Sequence, residues 1–195
     1  MKKIFGILLL CLFTVGTTSA QTSIVAGINM ANFSGDDMIW DTDMRLGIRV
    51  GVLGKRALSD AFGLRGGVFY SVKGYEASDV YFSGVYTNAI GTISYIEAPF
   101  GFYFSGNDMI SFHAGIYSAF LVSDKSEAGG ISGSADAESV DMGLDFGATF
   151  SVNDALSINA GYQYGFISID DDTSAPVDTY NSNIVIAMGY SFGGY

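Results

Sequence analysis

Ser139-Val140-Asp141-Met142-Gly143-Leu144-Asp145-Phe146-Gly147-Ala148-Thr149-Phe150-Ser151 carries two alternating residue sets. Even positions hold Val140, Met142, Leu144, Phe146, Ala148 and Phe150. Odd positions hold Asp141, Gly143, Asp145, Gly147 and Thr149. Period two is the signature of a β-strand with one apolar and one polar face. A soluble strand would bury the apolar face in a core. The question is whether this face meets protein or lipid.

Working outward, the same alternation recurs along the chain. It predicts eight strands, at 23–33, 44–55, 62–75, 92–104, 109–122, 139–151, 156–167 and 183–192. One face gathers Ile24, Ile28, Leu46, Ile48, Val50, Val52, Phe62, Leu64, Val68, Tyr70, Phe100, Phe102 and Phe104. It continues through Ile110, Phe112, Ile116, Phe120, Leu144, Phe146, Phe150, Ile158, Tyr164, Phe166, Ile186, Met188, Tyr190 and Phe192, and no position on it is charged. The opposite face holds Arg45, Arg49, Arg65, Lys73, Glu97, Asp141 and Asp145. It also holds Asn29, His113, Asn159, Gln163 and many glycines, among them Gly47, Gly51, Gly63, Gly67, Gly143, Gly147, Gly161 and Gly165. A secreted lipocalin-type barrel needs an apolar inside and a charged outside. Every strand here has the reverse.

The connections fit that polarity. Arg56 to Ala61, Ser105 to Asp108 and Val152 to Ala155 are short, whereas those after the first, third, fifth and seventh strands are longer and rich in Gly, Ser, Asp and Asn. Outer-membrane barrels have short periplasmic turns and long external loops. The expected fold is an all-β, eight-stranded, up-and-down antiparallel transmembrane β-barrel in the cell outer membrane. Phe62, Phe104, Phe150 and Phe192 fall outward at the periplasmic strand ends. Tyr70, Phe120, Tyr164 and Phe166 fall near the outer ends, as interfacial girdles would.

Residues 1–20 read as a secretory signal peptide, leaving 21–195 as the barrel domain. Lys2 and Lys3 precede an apolar stretch from Ile4 to Val15, and Thr18-Ser19-Ala20 supplies small residues before Gln21. Cys11 raises a lipoprotein alternative, but Leu10 stands where such sites need a small residue. Cleavage removes that only cysteine, and with it disulfide or thiol chemistry. It leaves seven basic residues against twenty acidic ones, a net charge of −13, which disfavours a nucleic-acid partner. A helical membrane protein is excluded, because no segment after residue 20 has eighteen consecutive apolar residues.

Gly27-Ile28-Asn29-Met30-Ala31, Phe69-Tyr70-Ser71-Val72-Lys73-Gly74, Tyr95-Ile96-Glu97-Ala98-Pro99 and Gly189-Tyr190-Ser191-Phe192 occur in order along the chain. In these segments the sequence resembles the PorT-type outer-membrane β-barrel family of Gram-negative bacteria. The resemblance implies an integral outer-membrane protein. It implies little about activity, although a founding member is tied to protein secretion.

Three groups of residues are candidates for function. Ser111 and His113, both inward, invite a lipid-modifying reading. Enzymes of that kind hold their catalytic groups on the lipid-facing side, and no outward histidine exists. The inward charges Arg45, Arg49, Arg65, Lys73, Glu97, Asp141 and Asp145 read either as a polar pore or as a plug of ion pairs. Eight strands enclose only enough room for side chains, which favours the plug. If Tyr75 and Thr92 edge the second external loop, Glu97 falls opposite Phe69 or Ser71, with Lys73 opposite or diagonal to Tyr95 and close to Glu97. Glu97 is then expected to balance the basic cluster.

The third group is the acidic loops. They carry fourteen of the twenty acids, with Asp36, Asp37, Asp41 and Asp43 in loop one, Glu76 and Asp79 in loop two, and Asp124, Glu127, Asp136 and Glu138 in loop three. Loop four has Asp170, Asp171, Asp172 and Asp178. Carboxylates suit divalent cations, and Asp36, Asp37, Asp41, Asp43, Asp170, Asp171 and Asp172 are the weak metal candidates. No spacing matches an EF-hand. Trp40, the only tryptophan, sits at the tip of loop one, either as an exposed partner contact or packed under the loops. The expected function is a non-enzymatic barrel without cofactor, its acidic external loops meeting divalent cations or a cell-surface partner, or maintaining the envelope. A transport or secretion accessory is the alternative, and a lipid-modifying enzyme ranks last.

Overall fold

The computed structural model describes residues 20–34, 42–82, 85–134, 137–168 and 180–192. Nine strands form: β1 (Ala20–Ser34), β2 (Thr42–Ala57), β3 (Phe62–Phe82), β4 (Val85–Ser105), β5 (Ile110–Ala128), β6 (Ile131–Gly133), β7 (Val140–Ser151), β8 (Leu156–Gly165) and β9 (Tyr180–Phe192). All pairings are antiparallel. β1 pairs with both β2 and β9, and β4 pairs with β5, so the sheet closes into a barrel without free edges at its waist. β6 is a three-residue strand folded back on the end of β5, so eight strands build the wall.

Closure leaves one face for the lumen and one for the surroundings. Leu46, Ile48, Phe100, Phe102, Phe112, Ile116, Phe146, Ile158, Ile186 and Met188 all face outward and are exposed. Burying an apolar side chain is worth roughly 1.5–3 kcal/mol, so this much bare apolar wall requires a lipid solvent. Ten-residue β8 spans about 33 Å at roughly 3.3 Å per residue, enough for a bilayer core at moderate tilt. Phe62 stacks on Phe102 with centroids 5.2 Å apart, and Tyr190 meets Phe192 edge-on at 5.0 Å, within the periplasmic aromatic band.

Two periplasmic turns use one device. Asn107 Oδ1 accepts from the backbone N–H of Met109 and Ile110, and Asn153 Oδ1 accepts from those of Ala155 and Leu156. A short amide side chain thus satisfies two backbone donors and reverses the chain within a few residues.

The external side departs from the sequence expectation. β3 does not end at residue 75, nor does β4 begin at 92. The pair continues to Phe82↔Val85. The β-rich triplets Val80-Tyr81-Phe82 and Val85-Tyr86-Thr87 flank Ser83-Gly84, a two-residue hairpin signal that outweighs the polar composition of the stretch. β5 likewise runs past residue 122 to Ala128, where Gly129 and Gly130 take positive φ (58° and 80°) and β6 returns. Glu76, Asp79, Asp124 and Glu127, expected in loops, therefore lie on strands. A transmembrane strand needs about 9–11 residues, so the 21-residue β3 and β4 rise well beyond the bilayer.

Candidate functional site

The middle of the lumen is packed. Tyr95, Tyr117, Glu97 and Asp141 have no solvent exposure, and Lys73, Asn29, Ser71, Gln163, Asn181 and Asn183 have almost none. Glycine makes this packing possible. A Cβ on Gly67 would lie 2.8 Å from the Phe69 ring, and one on Gly143 would lie 2.6 Å from the Tyr117 ring. The inward glycines were expected to make room for basic side chains. Among the described residues they mostly make room for Phe69, Tyr75, Tyr103 and Tyr117. Gly74, beside Arg45, fits the original reason.

Register decides which charges meet. Phe69 pairs with Glu97 and Ser71 with Tyr95, so Lys73 lies diagonal to Tyr95. Arg49 Nη1 stands 2.5 Å from Glu97 Oε1, and its guanidinium lies over the Phe69 ring at 4.2 Å. Lys73 Nζ is 3.4 Å from Glu97 Oε2 and 3.5 Å from Asp141 Oδ2. It also lies 4.3 Å from the Tyr117 ring centroid. Arg65 Nη2 is 3.7 Å from Asp145 Oδ2.

Neutral polar groups fill the gaps. Gln163 Nε2 donates to Glu97 Oε1 at 2.7 Å and to Asp145 Oδ1 at 3.2 Å. Tyr117 Oη and Asn181 Nδ2 donate to Asp141 Oδ2. Asn183 Nδ2 donates to Gln163 and to Asn29, and Asn29 donates to Ser71. The network thus draws on all eight wall strands, with Glu97 and Asp141 as its two acceptor centres. Six of the seven expected lumenal charges meet in it. Arg45 does not, since its Nε and Nη1 are buried without a hydrogen-bond partner among the described residues.

Sequence reasoning missed several members. Asn181 and Asn183 are two of them; Gln163 is legible as inward but not in its partner, since nothing in an amide's sequence context says which carboxylate it reaches. Tyr95 and Tyr117 are inward aromatics that periodicity alone would have flagged. So would Lys55, inward at the periplasmic end of β2.

His113 Nε2 lies 3.7 Å from Asp145 Oδ2, already engaged by Arg65 and Gln163. Ser111 pairs across the sheet with Thr149, and no hydrogen bond joins it to His113 among the described residues. That is not the arrangement of an activated hydroxyl. Of the weak metal candidates, Asp43 lies exposed on β2 across from Glu76. Asp36, Asp37, Asp41, Asp170, Asp171 and Asp172 lie outside the described residues, as do Trp40, Asp136, Asp178 and the expected signal peptide through residue 19.

An apolar outer wall, a closed antiparallel sheet and a charged, packed lumen define an integral outer-membrane β-barrel. The chain matches the outer membrane protein beta-barrel domain family over residues 14–171 and belongs to it. Solved structures of the same fold include Neisserial surface protein A (NspA), at 16% identity, 90% coverage of this chain, 100% of that chain and a TM-score of 0.58. They also include Ail, the attachment invasion locus protein of Yersinia pestis, at 19% identity, with 90% and 100% coverage and a TM-score of 0.53. No curated protein matches the chain.

Proposed function

We propose that this barrel is non-enzymatic, that its lumen does not conduct, and that it works at the cell surface through the acidic end that rises above the membrane. One observation carries the reading. In the middle of the lumen Glu97, Asp141, Tyr95 and Tyr117 have no solvent exposure. With the lumen filled, the part left to act is the external extension of β3, β4 and β5, which bears Glu76, Asp124, Glu127 and the nearby Glu138. Its chemistry suits divalent cations or a basic cell-surface partner, or a role in envelope maintenance. The name of the similar Ail structure, an attachment invasion locus protein, supports a surface role.

Planar-bilayer recording of the purified full chain tests the reading. The expected result is no discrete conductance at moderate voltage. Stable single-channel steps would shift the assignment to the second reading, a transport or secretion accessory, which the ordered PorT-like segments favour. Neutralising Glu76, Glu127 and Glu138 together should leave folding intact and lower calcium binding or surface attachment. Unchanged binding and attachment would remove the surface role.

A further inference from the structure

The periplasmic end of the lumen opens into a cavity of about 620 Å³, bordered by Lys55, Ser23, Thr149, Ser157, Asn159 and Ser191 among others. Val25 and Leu53 also line it. They belong to an apolar cluster with Phe69, Val185 and Ala187 on the β9, β1, β2 and β3 side of the lumen. With residues of two periplasmic turns in its lining, the cavity faces the periplasm. Its volume lies within the range of small-molecule sites, roughly 300–1,000 Å³.

Its electrostatics are unbalanced. Lys55 and Arg65 stand directly opposite each other on β2 and β3, both inward. Like charges at directly opposed positions repel. One carboxylate, Asp145, serves Arg65 from 3.7 Å. Lys55 has no carboxylate within ion-pair distance among the described residues. Its ammonium sits 5.5 Å from the Tyr103 ring centroid. Arg65 Nε is buried without a hydrogen-bond partner. His113, the other titratable group at this level, can add positive charge only. Asp108 and Asp154 also border the cavity, but they lie in exposed turns where water screens them.

We propose that this vestibule is a binding site for a small, hydroxyl-bearing organic anion of the periplasm, a sugar acid or sugar phosphate in chemical class. Its charge meets Lys55, and its hydroxyls meet the ring of Ser23, Thr149, Ser157, Asn159 and Ser191. An anion beside Lys55 offsets the Lys55–Arg65 repulsion that the protein's own carboxylates leave uncompensated. Hydroxyl and amide side chains around it provide both donors and acceptors, as a polyol needs. This site is separate from the external surface role and stands or falls independently of it.

The test is calorimetric titration of the full chain in zwitterionic nanodiscs with galacturonate, glucose 6-phosphate and neutral galactose. Saturable binding of the two anions and none of galactose is expected. Lys55→Gln should weaken anion binding about tenfold or more, the usual consequence of losing a hydrogen bond to a charged group. Lys55→Arg should retain it. Arg56→Gln, one residue away but outward, should leave it unchanged. As a second readout, either anion should raise the parent's denaturation midpoint and not that of Lys55→Gln. In anion-free buffer Lys55→Gln should be at least as stable as the parent, because it relieves the repulsion. Absence of saturable anion binding, equal binding of galactose, or unaltered binding by Lys55→Gln would each overturn the assignment.

Discussion

Arg49 Nη1 and Glu97 Oε1 lie 2.5 Å apart, with both side chains buried inside a barrel whose outer wall meets lipid. The two residues belong to β2 and β4, which are not neighbours in the sheet, so the contact crosses the lumen over β3. Removing one partner of a buried pair leaves the other charge uncompensated, at a cost of about 3–5 kcal/mol. Glu97→Gln should therefore lower the urea midpoint of the vesicle-reconstituted protein by that order while its far-ultraviolet circular dichroism stays that of a barrel. An unchanged midpoint would show that the network contributes nothing to stability.

The two cations on Glu97 should not be equivalent. Lys73 divides itself between Glu97 and Asp141 at 3.4 and 3.5 Å, whereas Glu97 is the one carboxylate that Arg49 pairs with among the described residues. A double-mutant cycle of Glu97→Gln with Arg49→Met should thus give the larger coupling, and one with Lys73→Met the smaller. The reverse order would mean that the Arg49 contact is not the dominant one.

On the outer wall, Phe100 and Ile116 face each other across β4 and β5 within the membrane-crossing part and are both about half exposed, at 57% and 45%. An arginine at either should weaken folding into lipid by about 2–4 kcal/mol. The measurement is denaturant titration in lipid vesicles. A Phe100→Arg protein as stable as the parent would contradict a lipid-facing wall.

Gly143 and Gly133 separate packing from propensity. A Cβ at Gly143 would lie 2.2 Å from the Tyr164 carbonyl oxygen and 2.6 Å from the Tyr117 ring, and the backbone cannot withdraw. Gly143→Ala should destabilise by about 1–3 kcal/mol, as overpacking does. At Gly133 nothing lies within 4 Å, so Gly133→Ala should fall within about 0.5 kcal/mol of the parent. Equal effects at the two sites would argue against close packing of the lumen.

Processing gives a further expectation. With Thr18-Ser19-Ala20 at the cleavage site, intact mass measurement of protein isolated from outer membranes should place the N-terminus at Gln21. A retained leader or a lipidated Cys11 would be the contrary result.

The sequence by itself determined the wall. Alternation is a local property, and a strand such as Val140–Ser151 shows both of its faces to anyone who reads every second residue. The absence of charge on one face then selects lipid as the solvent, and the short Asn-Asp turns set the up-and-down order. Nothing local, however, says where a strand stops pairing. Val80-Tyr81-Phe82 and Val85-Tyr86-Thr87 extend β3 and β4 because each strand satisfies the other's backbone groups, an effect that composition hides. The lumen was legible as a list of charges with Glu97 at the basic cluster, and not in the rest of its partners. That Glu97 reaches Arg49, that Lys73 is shared with Asp141, and that Lys55 is left facing Arg65 beside an open cavity all depend on register around a closed ring. Closure brings together residues more than sixty positions apart, such as Glu97 and Gln163. Only the tertiary structure fixes which inward side chain stands at which height.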